Sequence, residues 1–100
     1  MPIETSQSIA QWGSETFGDA ASVKAYALRA QEELTELIEA IENGEPDKDI
    51  ALEAADVTIL LHRIAGTLGL ELYEAVDEKM GVNRKRVWLP DGNGVGRHRL

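Results

Sequence analysis

Four residues, Asn43-Gly44-Glu45-Pro46, interrupt the middle of a chain that reads as helix on both sides, and this break constrains the fold more than any other feature. Asn, Gly and Pro in close succession end a helix and start a turn. Before the break, residues 22–42 form a helical segment with Ser22 as its expected N-cap. It carries Leu34, Leu37, Ile38 and Ile41 at the spacing of one buried helix face. After the break, residues 48–68 follow with Asp47 as cap and Ile50, Val57, Leu60, Leu61 and Ile64 apolar. So short a link makes the two helices antiparallel neighbours.

Two further helices flank this hairpin. The first covers residues 4–17, with Ile9 and Trp12 at helical spacing, and ends at Gly18. The last covers residues 71–87, after a break at Gly69. The β-branched residues are scattered rather than alternating, so no strand is expected. Turn residues from Pro90 to Gly94 make residues 89–100 an irregular tail. The expectation is an all-α fold: one domain over residues 1–100, four helices, an antiparallel central hairpin. A chain of 100 residues buries a modest core, so a partner subunit would help to cover its apolar faces.

Charge and composition narrow the function. No cysteine is present, which excludes disulfides, thiolate catalysis and cysteine zinc sites. The N-terminus lacks a basic region followed by an apolar run, and the longest apolar stretch, around residues 57–61, is too short to span a bilayer. A cytoplasmic protein is expected. The net charge of −8 argues against nucleic acid or an anionic membrane as the main partner. Residues 32–56 hold ten acidic side chains and one basic one, Lys48; residues 79–100 hold six basic and one acidic, Asp91. A site for both a cation and phosphates is built this way, and so is a helix pair of complementary charge.

Within the acidic half, Glu33 and Glu36 lie three apart on one helix, and Glu53 and Asp56 three apart on the next. Residues at that spacing project on one face, about 60° apart in azimuth. Sixteen residues separate Glu36 from Glu53, enough to finish one helix, turn and begin another. Four carboxylates facing each other across a hairpin repel unless a divalent cation neutralises them. Hard oxygen ligands without His or Cys point to magnesium, with manganese as a substitute. The competing reading is a solvated acidic face, which suits Glu39, Glu42 and Glu45. Asp56 resists it, because Val57, Ile59, Leu60 and Leu61 follow closely and an ionised carboxylate beside a buried stripe is costly unless paired or metal-bound. A di-iron bundle needs a Glu with a His three residues later on two helices. His62 follows Ile59 at that spacing, so the di-iron reading fails and His62 is expected at the helix surface or an interface.

Lys79, Asn83 and Arg86, spaced four and three apart, share a face of the last helix and suit polyphosphate oxygens. Gly92-Asn93-Gly94-Val95-Gly96 follows no strand and opens no helix, so it is a turn rather than a phosphate loop. Trp12 is a candidate for the wall of a base pocket, although a tryptophan at helical spacing is more often core.

The motif Glu32-Glu33-x-x-Glu36, then Glu53-x-x-Asp56, then Lys79-x-x-x-Asn83-x-x-Arg86 resembles the signature of the MazG-like, all-alpha nucleoside triphosphate pyrophosphatases. The likeness covers residues 27–88. The run from Trp12 to Gly18 and the tail from Trp88 to His98 resemble a bacterial and phage branch that includes dATP/dGTP diphosphohydrolase-like proteins. The resemblance implies metal ligation by Glu33, Glu36, Glu53 and Asp56, and a water-positioning or proton-accepting role for Glu32. It implies phosphate contacts from Lys79, Asn83 and Arg86, and a homodimer or dimer of dimers. The expected activity is magnesium-dependent hydrolysis of a (deoxy)nucleoside triphosphate to the monophosphate and pyrophosphate. A nucleotide or metal sensor without turnover and an acidic helical interaction module are the alternatives.

Overall fold

The computed structural model describes residues 3–90 and 92–98. Its elements are α1 (Ser6–Phe17), α2 (Lys24–Glu42), α3 (Asp47–Thr67), α4 (Leu72–Lys85), β1 (Trp88–Pro90) and β2 (Gly96–His98). The fold is all-α, as the helical spacing predicts.

Each helix end has a local cause. Thr5 and Ser8 form a reciprocal capping box at the start of α1: the Thr5 hydroxyl accepts from the Ser8 N–H at 3.0 Å and the Ser8 hydroxyl from the Thr5 N–H at 2.8 Å. At the end of α2, Gly44 takes a positive φ of 66°, its N–H donates to Ile41 and the Glu45 N–H donates to Ala40 at 3.1 Å. Those two bonds satisfy carbonyls that the helix end would leave open, and they turn the chain. Pro46 then precedes α3, with Asp47 and Asp49 in its first turn, where negative charge meets the helix dipole favourably. Two expected caps do not form. Val23 rather than Ser22 starts α2, without a side-chain cap, and Asp47 lies inside α3 rather than before it.

Helix α3 is the centre of the molecule, packed against α1 on one side and α2 on the other. Gly66 permits the first contact, since a Cβ there would collide with the Ser6 carbonyl. The inward stripe of α2 is Tyr26, Ala30, Glu33, Leu37 and Ala40, at alternating spacings of four and three. This corrects the expected face: Leu34, Ile38 and Ile41 are 45, 49 and 54% exposed. Both stripes fit a 3.6-residue period, and the contact with α3 chooses the one rich in alanine, which lets the helices approach closely.

A buried polar node ties α1, α3 and the start of α4 together. The Ser6 hydroxyl, fully buried, donates to Glu71 Oε2 at 2.9 Å. It accepts from the Leu72 N–H at 2.8 Å and lies 2.7 Å from His62 Nδ1, which must therefore donate. The Ser6 N–H donates to Glu71 Oε1 at 2.9 Å, and the Tyr73 ring stands edge-on to His62, centroids 4.6 Å apart. With every capacity of its oxygen used, Ser6 is no nucleophile. Of the surface or interface expected for His62 it takes an interface, buried where α1, α3 and the start of α4 meet, because this node satisfies it.

The tail departs from the expectation of irregular turn: β1 and β2 pair antiparallel, with Trp88 opposite His98 and Pro90 opposite Gly96. Three-residue strands are too short to show alternation. Asp91, Arg99 and Leu100 of that expectation lie outside the described residues. No helix among the described residues is long and apolar enough to cross a membrane.

Candidate metal and nucleotide site

Antiparallel packing of α2 on α3 brings Glu33 of one inward stripe against Glu53 of the other, with Asp56 one turn further on. One carboxylate oxygen from each of Glu33, Glu53 and Asp56 lies within 4.8 Å of the others, a spacing that suits a shared metal ion. Glu36 sits beside them: its hydrogen bond with the Glu33 carboxyl, then partial burial and the Glu36 charge, push the Glu33 pKa above its ordinary value. Glu53 is likewise raised, by partial burial first and then by the charges of Asp56 and Glu36. Crowded carboxylates of this kind hold a proton or call for a cation. Asp56 itself is exposed, and of the apolar border expected around it Val57 and Leu60 are half-buried while Ile59 and Leu61 are exposed.

Glu32 lies outside this cluster. Arg29 bridges it to Glu33, donating to Glu32 and pairing with Glu33 at 2.7 Å each. Helix α4 packs against α3. Lys79 is exposed, and Arg86 is the C-cap of α4, its N–H donating to the Asn83 carbonyl before the chain turns extended. The Asn83 carbonyl accepts from Trp88 Nε1 at 2.7 Å, and its side-chain Oδ1 is buried with no hydrogen-bond partner among the described residues.

One cavity adjoins the cluster and a second lies by Trp12. The first, of about 380 Å³, touches Glu33 and Asp56 at one end and Phe17 and Arg63 at the other, with Ile59 and Leu60 between. The second, of about 320 Å³, lies by Trp12, Ile9 and Ile59. Trp12 is half exposed and stands edge-on to Phe17, centroids 5.4 Å apart. A larger cleft of about 550 Å³, between Thr5 and Glu74, holds no comparable cluster; its Glu71 is committed to Ser6. Glu71 is held below its ordinary pKa, first by the Ser6 N–H and then by the Tyr73 N–H.

Sequence reasoning missed Phe17, Arg29 and Arg63. For Arg63 a signal existed: it is the only Lys or Arg between Lys48 and Lys79, set in an otherwise apolar run.

No family model matches the chain. It is 40% identical over 67 residues to a dATP/dGTP diphosphohydrolase of Cyanophage S-2L, covering 67% of this chain and 59% of that protein. It is 36% identical over 92 residues to a dATP/dGTP diphosphohydrolase of Salmonella phage PMBT28, covering 90% of this chain and 29% of that protein. The chain therefore spans less than two thirds of either curated relative. Among solved structures, it is similar to the Cyanophage S-2L MazG-like pyrophosphohydrolase bound to dGDP and three catalytic Mn2+ ions per active site. The TM-score is 0.75 at 33% identity, over 95% of this chain and 89% of that one.

Proposed function

Because the chain belongs to the MazG-like pyrophosphohydrolases, we propose that it hydrolyses a purine deoxynucleoside triphosphate between its α and β phosphates, releasing the monophosphate and pyrophosphate. The observation that carries this reading is the convergence of Glu33, Glu53 and Asp56, with Glu36 against Glu33. The purine preference follows the phage relatives. The donor set suits a hard divalent cation, magnesium or manganese: carboxylate oxygens only, two of them with raised pKa values that a cation would relieve. Glu33, Glu36, Glu53 and Asp56 are the residues that would hold it. When bound, such an ion neutralises phosphate charge and lowers the pKa of a coordinated water.

The chain's own groups do the rest. Glu32 takes the proton of the attacking water while the water oxygen bonds to the α-phosphorus and the bond to the bridging oxygen breaks. Pyrophosphate leaves with the electron pair. Arg29 holds Glu32 next to Glu33 for this step. Lys79, Asn83 and Arg86 contact the outer phosphates. In a homodimer or dimer of dimers, these three reach the site of a second copy. The outward stripe of Leu34, Ile38 and Ile41 supports that assembly.

Release of pyrophosphate from dGTP and dATP, with magnesium or manganese, tests the reading. Glu36→Gln and Asp56→Asn are each expected to abolish turnover with the helical circular dichroism unchanged. Full activity in either variant sinks the site assignment. Calorimetric binding of a non-hydrolysable triphosphate without turnover supports a sensor instead, and no binding supports an interaction module.

A further inference from the structure

The groove between α2 and α3 has a second chemical end. Arg63 lies seven residues after Asp56 on α3, and Tyr26 seven residues before Glu33 on the antiparallel α2. Each is therefore about two helical turns, roughly 10 Å, from the carboxylates. The cavity of about 380 Å³ reaches both ends, touching Glu33 and Asp56 on one side and Phe17 and Arg63 on the other.

Arg63 is only 9% exposed. Its guanidinium lies over the Tyr26 ring at 4.2 Å from the centroid, and 5.7 Å from that of Phe17. On the α1 side it is pressed against Gly13, where any Cβ would collide with Nε and Cζ. The Nη2 group donates to the Gly18 carbonyl at 2.9 Å, and this is the only hydrogen bond the guanidinium makes among the described residues. It forms no ion pair with a carboxylate there either. Aromatic stacking and one carbonyl fix the plane of this cation and leave most of its five N–H donors without a partner among the described residues, at the wall of the cavity rather than sealed in the core. A site shaped so rigidly around an unmatched donor edge is prepared for an acceptor.

Resting on the function proposed above, we propose that Arg63 reads the base of the substrate. Phosphates held with the cation at the carboxylate end place the base about two helical turns away, where the Phe17 ring and the Arg63 edge meet the cavity. The acceptor that adenine and guanine share on their exposed edge is N7, and guanine adds O6 beside it; pyrimidines have no N7. Arg63 donating to N7 therefore selects purines, and a second bond to O6 favours dGTP over dATP. A phosphate-binding role for Arg63 is the rival, and the two differ in what they do to an N7-less substrate.

The decisive comparison is kcat/KM for dGTP and for 7-deaza-dGTP, in which a carbon replaces N7. The wild-type chain is expected to use 7-deaza-dGTP about ten- to a hundredfold less efficiently. Arg63→Met should bring the ratio close to one, by losing efficiency on dGTP and not on the analogue, and Arg63→Lys should restore part of the discrimination. Equal use of the two substrates by the wild type overturns the proposal, as does an equal loss on both in Arg63→Met. If Arg63→Met does not fold by circular dichroism, the wild-type pair of rates decides alone. A wild type that hydrolyses dGTP, loses activity in Glu36→Gln and ignores N7 refutes the role of Arg63 while the proposed function stands. A wild type that hydrolyses no triphosphate refutes both.

Discussion

Glu33 is crowded by other carboxylates, with Arg29 as its partner of opposite charge. It occupies the middle of an inward stripe whose other members are Tyr26, Ala30, Leu37 and Ala40, and it meets Glu53 across the groove and Glu36 along its own helix. Its folded-state pKa and that of Glu53 lie above the ordinary carboxylate value. A raised carboxylate pKa means that the folded form binds more protons, so stability falls as pH rises from the ordinary value through the raised one. A cation that replaces the proton reverses this cost. Manganese should thus raise the melting temperature at pH 7.5 and much less at pH 5, where protons compete for the same oxygens. Glu33→Gln should melt higher than the wild type without metal at pH 7.5 and lose the manganese-induced gain. A metal-induced shift independent of pH, read by differential scanning calorimetry, contradicts the argument.

At the scale of elements, α4 is held by its first residues. Glu71 caps it, accepts from the Ser6 N–H and hydroxyl, and lies 3.7 Å from His62 Nδ1. These donors favour the ionised form, so the folded-state pKa lies below the ordinary value. The sign is opposite to that of Glu33. The contribution of Glu71 is complete above the ordinary carboxylate pKa and is lost as pH falls through the lowered one. The windows lie on either side of the ordinary value and can be separated by titration. Glu71→Gln should flatten the acid limb of the stability curve and raise hydrogen exchange in α4 before α2 or α3. Unchanged acid sensitivity in that variant removes Glu71 from the role.

The whole molecule turns much of its apolar surface outward: Leu34, Ile38 and Ile41 on α2, Leu52 on α3, Val76 and Met80 on α4. A chain this small gains from covering such faces with a second copy. Sedimentation is expected to show a dimer or a larger species. Ile38→Glu should shift it to monomer and lower activity with the α2–α3 groove of each chain intact. A wild-type monomer at micromolar concentration rules out the assembly.

Much of this architecture is local and therefore readable along the chain. The Asn43–Pro46 break, the glycines at 18, 44 and 69, and the i, i+3 spacing of Glu33 with Glu36 and of Glu53 with Asp56 are governed by turn geometry and helical period. A short link forces the hairpin, and the hairpin aligns the carboxylates. Tertiary contact alone decided which of two apolar stripes on α2 faces inward, because both satisfy the same period. It also buried His62 in the Ser6–Glu71 node and drew Arg63 between Gly13 and Tyr26. Those outcomes depend on close approach between residues distant in sequence, and a helical repeat carries no information about distance across a groove.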